Sequence, residues 1–281
     1  MNEHIITEKM IYSFEEQLRA DELAEGTIAK YLRDVRSLMK WAANKIINKE
    51  AVAAWKKYLM GRDYAPITIN SMLAAANCFF KCMGWQECHA KFLKIQRQIF
   101  RNMDRELQQH EYKRLVAAAR KEGRERLLLL METICCTGVR VSEVKYITVQ
   151  AAQMGMVDIR LKGKIRRIML PEKICHMLLK YAKKNGISAG EIFRTRSGRG
   201  ISRRQIWAEM KSLCRRAGVA ASKVFPHNLR HLFATVFYKK NQDIVQLADL
   251  LGHSSIETTR IYLVTSGKEH QDKLNRLGLI I

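Results

Sequence analysis

The segment LGHSSIETTRIYL, from Leu251 to Leu263, combines residue types that could carry out chemistry on an anionic substrate. His253 precedes Tyr262 by nine residues, with two threonines and an arginine between them. Because an unperturbed tyrosine has a pKa of about 10, its hydroxyl becomes a useful nucleophile only where a base takes its proton or cations favour the phenolate. His253, together with His227, Arg140 and Arg230 described below, could supply both. A half-buried aromatic side chain is the alternative interpretation of Tyr262.

A second histidine and arginine occur together in FPHNLRHLFATVFY. His227 and Arg230 are three residues apart, so both lie on one face of the predicted helix, while Leu229 and Phe233 supply its buried side. A lone histidine in such a helix is usually structural. The histidine, arginine and tyrosine that follow in LGHSSIETTRIYL favour a functional interpretation instead.

A third candidate, Arg140, lies in TGVRVSEVKYI. Thr137 and Gly138 are typical of a helix end, and Ser142 or a neighbour could start the next helix. This pattern predicts that Arg140 lies at an irregular junction from which it can reach a ligand. A capping or surface arginine is the alternative.

A β-hairpin is predicted in MVDIRLKGKIRRIMLP, where apolar residues alternate on either side of a Lys-Gly-Lys turn. Its tip and return strand contain Lys162, Lys164, Arg166 and Arg167. These residues form either a charged, solvated strand edge or a cationic finger for a polyanion. The charge of the surrounding sequence favours the second interpretation.

The charge balance indicates a nucleic acid partner. The 281 residues include 50 Lys and Arg against 27 Asp and Glu, a formal net charge of +23 that an anionic partner would offset. Residues 101–281 contain 35 basic and 16 acidic residues, net +19, so the partner should mainly contact this part. The sequence has no apolar run long enough to span a membrane, and its acidic, amphipathic start is unlike a signal peptide. We therefore expect a cytoplasmic protein with no membrane contact.

Two domains are expected from the length and from the helical patterns. Residues 1–100 should form a helical first domain, residues 101–106 a linker, and residues 107–281 a second domain. In the first domain, apolar residues at helical spacing, such as Leu32, Val35 and Leu38, predict one of four or five short helices.

The cysteines could be mistaken for a zinc site. Cys78, Cys82, Cys88 and His89 have suitable residue types, but the first two lie in an apolar helical run and the last two lack a spaced partner pair. Buried small hydrophobic residues explain these cysteines better. We expect no metal and no cofactor.

Four motifs in this order, TGVRVSE, LKGK, HNLRHLFAT and LGHSSIETTRIYL, resemble those of the tyrosine recombinase family, which includes the phage integrases and the Xer-type recombinases. The stretch GTIAKYLRDVRSLMKWA also resembles the helical core-binding domain that precedes the catalytic domain in that family. The resemblance implies a mostly α-helical fold with a small β-hairpin in the catalytic domain, and two domains that form a C-shaped clamp on double-stranded DNA. Without an additional arm-binding domain, the expected architecture is the simpler Xer-like one.

Residue by residue, the resemblance implies the following roles: Tyr262 as the nucleophile, Arg140 and Arg230 as the phosphate clamp, Lys162 as the hairpin lysine, His227 and His253 as the remaining active-site pair, and Glu143 as a supporting residue. The chemistry fits, because two bidentate guanidiniums suit the charge on a phosphodiester under attack and a lysine can protonate the departing 5′-oxygen. Lys162 is favoured over Lys164 because Gly163 permits the turn, but the choice stays open. A covalent phosphotyrosine retains the energy of the broken bond, so no ATP is required.

The function implied is site-specific recombination by cleavage and rejoining of DNA through a 3′-phosphotyrosine, for integration, excision or resolution. The expected assembly is a homotetramer on DNA, with accessory proteins as further partners. Its apolar C-terminal tail, GKEHQDKLNRLGLII, would dock on a neighbouring protomer. Two alternatives remain: a monomeric type IB topoisomerase with the same chemistry, and a DNA-binding regulator whose cleavage activity is vestigial.

Overall fold

The computed structural model describes residues 4–95, 103–161, 164–253, 255–262, 271 and 275–277. The chain divides into two compact units, Met1–Arg97 and Gln98–Ile281. Among the described residues, none of the helices is both long and apolar enough to cross a membrane.

The first unit is built from four α-helices. They are α1 (Glu8–Ala20), α2 (Glu25–Ala42), α3 (Lys49–Met60) and α4 (Pro66–Cys82). Side-chain oxygens of Thr7 and Asn48 cap the starts of α1 and α3 by accepting backbone N–H groups. The core contains a cluster of fully buried aromatic rings, including Phe14, Trp55 and Phe79. The apolar stripe predicted for α2 is therefore confirmed, since Leu32, Val35 and Leu38 are buried there.

The second unit contains nine further α-helices and one hairpin among its described residues. They are α5 (Gln109–Lys121), α6 (Glu125–Thr137), α7 (Val149–Met154), β1 (Met156–Leu161), β2 (Lys164–Met169), α8 (Glu172–Lys184), α9 (Arg203–Ser212), α10 (Cys214–Ala217), α11 (Pro226–Asn241), α12 (Ile244–Leu251) and α13 (Ile256–Thr259). Short 3-10 helices cover Met103–Arg105, Val144–Tyr146 and Arg260–Tyr262. The expectation of a mostly helical fold with a small β-sheet is confirmed.

The predicted hairpin is present and joins two antiparallel strands. Met156 pairs with Met169 and Leu161 with Lys164. Val157, Ile159 and Ile168 are buried on the inner face of the sheet. The register sets Arg166 opposite the buried Ile159, and this pairing decides which way that arginine faces.

The junction predicted around Arg140 is also present. Helix α6 ends at Thr137, and Gly138 follows in the left-handed conformation with φ 64°, as is common at a helix C-terminus. Ser142 does not begin an α-helix, because the next helical residues are the 3-10 turn Val144–Tyr146. Arg140 therefore lies in irregular chain between two helical segments.

Candidate active site

Arg230 lies at the centre of the site, on α11, and is only 3% exposed. Its guanidinium donates hydrogen bonds to the carbonyl oxygens of Gly138 and Leu251, the latter at 2.8 Å. These carbonyls lie at the C-terminal ends of α6 and α12, where helix dipoles are negative and carbonyl groups lack helical partners. Burial lowers the pKa of Arg230, and the positive charges of Arg140 and Arg166 lower it further.

Glycine is required at position 138 because the backbone approaches α11 closely there. A Cβ atom on Gly138 would overlap with the ring of Phe233, and the positive φ would add strain. The close approach brings the Gly138 carbonyl to the Arg230 guanidinium.

Arg140 is joined to Glu143 at the start of the 3-10 turn. The Arg140 Nη1 atom donates to Glu143 Oε1 at 2.9 Å, and the Arg140 backbone N–H donates to Oε2 at 2.8 Å. Glu143 is 2% exposed, whereas the Arg140 side chain is 39% exposed. The buried Glu143 carboxylate thus fixes Arg140, whose outer edge is open to a ligand. This contact is consistent with the supporting role predicted for Glu143.

Arg166 was not assigned to the site from the sequence, which favoured a role for it in a cationic finger that contacts a polyanion. The structure turns it inward from β2: its Nη1 atom lies 2.9 Å from Glu143 Oε2, and its Nη2 atom donates to the Leu250 carbonyl at 2.7 Å. Its stem packs so closely on Gly252 that a Cβ atom there would overlap with it. Burial and Arg140 lower the pKa of Arg166, and Glu143 opposes that shift. By contrast, Arg167 is exposed and pairs with Asp158.

His253 lies between Arg230 and the buried Thr259. Its Nε2 atom is 3.1 Å from Arg230 Nη2, and its Nδ1 atom is 2.9 Å from Thr259 Oγ1. Because a guanidinium can only donate, Nε2 must accept, and the proton of the neutral ring therefore lies on Nδ1 and points to the threonine. Burial and the arginines lower the pKa of His253 to about 4, which agrees with a neutral ring.

His227 occupies the first turn of α11, one turn before Arg230 and His231. Its side chain is solvent-exposed, unlike that of Arg230. The pKa of His227 is nevertheless lowered, because the neighbouring protein partly desolvates its ring and because His231 and Arg230 disfavour a further positive charge. A neutral, accessible imidazole of this kind can accept a proton from a substrate or a neighbouring side chain.

Tyr262 lies in the 3-10 turn Arg260–Tyr262 and is 4% exposed. Its ring packs in an apolar cluster with Ala234, Leu247 and Leu251. Two imidazoles flank it: the ring centroid of His231 lies at 4.9 Å and that of His253 at 6.3 Å. The Tyr262 phenol also lies close enough to Arg230 to influence the pKa of the guanidinium.

Five of the six predicted site residues thus come together around the Arg230 guanidinium. The sixth, Lys162, lies outside the described residues, as does Gly163, and the side chain of Lys164 is also not described. The preference for Lys162 therefore stays a prediction. Arg166 and His231 join the site although neither was assigned to it.

The cysteines of the first unit have simple packing roles. Cys88 is buried and donates to the Ile47 carbonyl, and burial raises its pKa. The neighbouring His4 and Glu87 are joined by a 2.6 Å contact, and His4 stacks on Trp85. These bonds account for the one group of possible metal ligands in the described part of the chain, and we assign no metal to it.

Comparisons with known proteins identify the family of this chain. The model of the phage integrase family matches residues 105–269, more than half of the chain, and the model of the phage integrase N-terminal SAM-like domain matches residues 11–87. Tyrosine recombinase XerA of Pyrococcus furiosus is 26% identical to this chain over an alignment that covers 100% of it and 98% of the relative.

Two solved structures share the fold. The XerH site-specific recombinase bound to its difH substrate has a TM-score of 0.68 at 19% identity, covering 98% of this chain and 90% of that one. A lambda integrase tetramer bound to a Holliday junction has a TM-score of 0.72 at 16% identity, covering 91% and 76%.

The chain belongs to the phage integrase family. It is an enzyme, with the activity of a site-specific tyrosine recombinase, and the comparisons do not favour the topoisomerase or regulator alternatives.

Proposed function

We propose that Tyr262 attacks the scissile phosphodiester and forms a 3′-phosphotyrosine. In this step the Tyr262 Oη–phosphorus bond forms and the phosphorus–5′-oxygen bond breaks. The released 5′-hydroxyl of a partner strand then attacks the phosphotyrosine and restores the DNA backbone. The observation that supports the proposal best is the placement of a buried tyrosine beside a guanidinium, Arg230, whose outer neighbour Arg140 is open to solvent.

The proton of Tyr262 would pass to His227. His253 is less suited as the acceptor, because its Nε2 lone pair already accepts from Arg230 and its Nδ1 proton is directed to Thr259. His227 is exposed and its lowered pKa keeps the ring neutral. Lys162 would protonate the departing 5′-oxygen.

Arg140 and Arg230 would bind the non-bridging oxygens of the phosphate. Arg140 and Arg166 share the carboxylate of Glu143, whereas the Arg230 guanidinium is bound by carbonyl oxygens and by the neutral ring of His253. The excess positive charge is preorganised by helix-end carbonyls, so little reorganisation is needed when charge develops on the phosphate.

Duplex DNA would also bind to the first unit. Arg33, Arg36 and Lys40 line one side of a cleft of about 590 Å³ on α2, and Trp41 and Tyr58 complete it. Basic groups beside aromatic rings can contact phosphates and sugars of the DNA backbone. Since the substrate is DNA, we place the enzyme's action in the cytoplasm.

We further propose that the enzyme works as a homotetramer. An apolar cleft of about 380 Å³ between α5 and α11 is lined by Tyr112, Leu232, Phe233 and Phe237, among others. The C-terminal tail of a neighbouring protomer, rich in leucine and isoleucine, has the chemistry to fill such a cleft. Accessory proteins would then select the reaction outcome.

The Tyr262→Phe variant tests the proposed nucleophile. It should bind site DNA with wild-type affinity and form no covalent adduct, because only the phenolic oxygen is removed. The assay is denaturing electrophoresis after incubation with a nicked suicide substrate that traps the adduct. A covalent adduct in the variant would remove Tyr262 from the mechanism.

A further inference from the structure

The Tyr262 ring is held from two sides, and only one of these contacts involves a residue predicted for the site. His253 lies nearly parallel to the ring at 6.3 Å, whereas His231 lies closer, at 4.9 Å and tilted by 54°. His231 follows Arg230 directly on α11, and nothing in the phosphate chemistry described above requires it. Of the two imidazoles that flank the Tyr262 ring in the described part of the chain, that of His231 has the shorter centroid distance.

His231 is itself fixed by a carboxylate. Its Nε2 atom lies 3.2 Å from Glu106 Oε1, and the side chains are 15% and 16% exposed. The Nε2 atom makes no aligned hydrogen bond, so the two side chains are held by a close polar contact, which is an ion pair only when the imidazole is protonated. Because both side chains are partly buried, solvent screens their electrostatic interaction less than it would screen one at the surface.

Glu106 is anchored in turn to the same helix. Asn228, one turn before His231, donates from Nδ2 to the Arg105 carbonyl at 2.7 Å and to the Lys223 carbonyl at 2.8 Å. Residues 105 and 106 are therefore bound to α11 by two side chains from one face. A chain of contacts runs from this segment through His231 to the Tyr262 ring.

We infer that His231 is a positioning residue for Tyr262 and that Glu106 holds it in place. This inference rests on the proposed role of Tyr262 as nucleophile. The tyrosine lies in a single 3-10 turn, which restrains its side chain less than a long helix would. A displacement of about 1 Å at a reacting atom can slow a reaction about 10²-fold, so a ring contact that fixes the phenol has a large effect on rate.

Single-turnover cleavage of a nicked suicide substrate, at protein concentrations that saturate the DNA, tests the inference. The variants are His231→Ala, His231→Gln, Glu106→Gln and the double variant His231→Ala with Glu106→Gln. The matched controls are His176→Ala and Glu172→Gln, which alter an exposed histidine and an exposed glutamate on α8. DNA affinity and thermal stability are measured for each protein.

A spectroscopic readout separates positioning from a purely structural role. The nine tyrosines are replaced by 3-fluorotyrosine, and the fluorine resonance of Tyr262 is identified by its absence in Tyr262→Phe. Ring currents from the flanking imidazoles affect this resonance, so it should shift in both His231 variants and in Glu106→Gln. It should stay unchanged in the two α8 controls.

We expect His231→Ala to cleave about 10²-fold more slowly with unchanged DNA affinity, and His231→Gln to recover part of the loss. Glu106→Gln should have a smaller effect, and the double variant should be no slower than His231→Ala, because both changes act through one contact.

Cleavage by His231→Ala within twofold of wild type, or slow cleavage with an unshifted Tyr262 resonance, would overturn the inference. If either outcome is observed and Tyr262→Phe forms no adduct, the positioning role of His231 is refuted and Tyr262 remains the proposed nucleophile. An adduct in Tyr262→Phe would instead refute the proposed function itself.

Discussion

At the scale of single residues, the site depends on how buried charges are shared. Glu143 serves both Arg140 and Arg166, while Arg230 relies on carbonyl oxygens and on the neutral ring of His253. A protonated His253 would face Arg230 as a second cation. The neutral ring is therefore part of what allows an arginine to be buried here.

This arrangement predicts that His253 makes stability depend on pH. Its pKa in the folded protein is about 4, below the value of 6.5 for a free histidine. The unfolded chain therefore binds more protons between these values, and the stabilising contribution, complete above about pH 6.5, is lost as pH falls towards 4. In urea titrations of the DNA-free protein, His253→Gln should lose less free energy of unfolding between pH 7 and pH 5 than wild type. His176→Gln, which changes an exposed histidine, serves as the control. If the free energy of unfolding of His253→Gln depended on pH as that of the wild type does, the lowered pKa of His253 would be contradicted.

The hairpin lysine can be identified by leaving-group chemistry. We expect Lys162→Ala to cleave normal DNA about 10² to 10⁴-fold more slowly, as is typical for loss of a general acid. DNA with sulfur at the 5′-bridging position should rescue this variant, because a thiolate departs without a proton. Lys164→Ala should show a smaller defect that sulfur does not repair. Rescue of Lys164→Ala instead would assign the acid to that residue.

The four motifs and their resemblance to the tyrosine recombinase family predict the set Arg140, His227, Arg230, His253 and Tyr262. The inward Arg166 could not be predicted in the same way, because in sequence it is one of four cations near a turn. Its direction depends on its pairing opposite Ile159 and on a carboxylate 23 residues earlier. His231 was passed over because its partners, Glu106 and Tyr262, are remote in sequence and adjacent only in the folded unit.

At the scale of elements, the ends of helices place the site. Helices α6 and α12 both end in glycines with positive φ, Gly138 and Gly252, and the carbonyls beside them bind arginines. The break after α6 was predictable from Thr-Gly, and so was the hairpin from its alternation. The sequence did not indicate that the end of α12 packs on β2, because that contact depends on the fit of Gly252 to the Arg166 stem.

Gly252→Ala should therefore damage catalysis as well as stability. Both Gly252 and Gly123 have positive φ, at 61° and 65°, so an alanine at either should destabilise the fold by about 1–2 kcal/mol. Only at Gly252 would the added methyl group displace Arg166, since nothing lies within 4 Å of a Cβ atom at Gly123. We expect Gly252→Ala to slow single-turnover cleavage at least about tenfold, the equivalent of about 1.4 kcal/mol in barrier height. Equal cleavage rates for Gly252→Ala and Gly123→Ala would show that the Arg166 contact does not matter for the reaction.

At the scale of the whole molecule, the length predicts two domains and the net charge of +23 predicts a nucleic acid partner, whereas the enzymatic activity is predicted only by the motifs. The structure says less about the C-terminal tail, because most of its apolar residues lie outside the described part of the chain. Leu277, which is described, is 58% exposed. Its chemistry is that of a segment that needs a partner surface.

Removal of residues 269–281 should separate cleavage from strand exchange. We expect the truncated protein to cleave a single site at close to the wild-type rate, since the truncation leaves Tyr262 in place. Recombination between two sites and assembly of tetramers on DNA should fall sharply, because the docking segment is lost. Size-exclusion chromatography of the DNA complexes, together with a two-site recombination assay, measures both. Normal tetramers and normal recombination would show that the tail has no role in assembly.

The cluster of Arg140, Arg166 and Arg230 also links the folding of the protein thermodynamically to the binding of its substrate. With one carboxylate among three guanidiniums, the DNA-free site retains mutual repulsion that an anion relieves. A phosphate bound there stabilises the folded state in proportion to its occupancy, through ordinary mass action. We therefore expect the catalytic unit to bind oxyanions even in the absence of nucleic acid. Its resistance to heat should depend on the buffer anion as well as on temperature and pH, with sulfate or phosphate protecting it more than chloride at equal ionic strength.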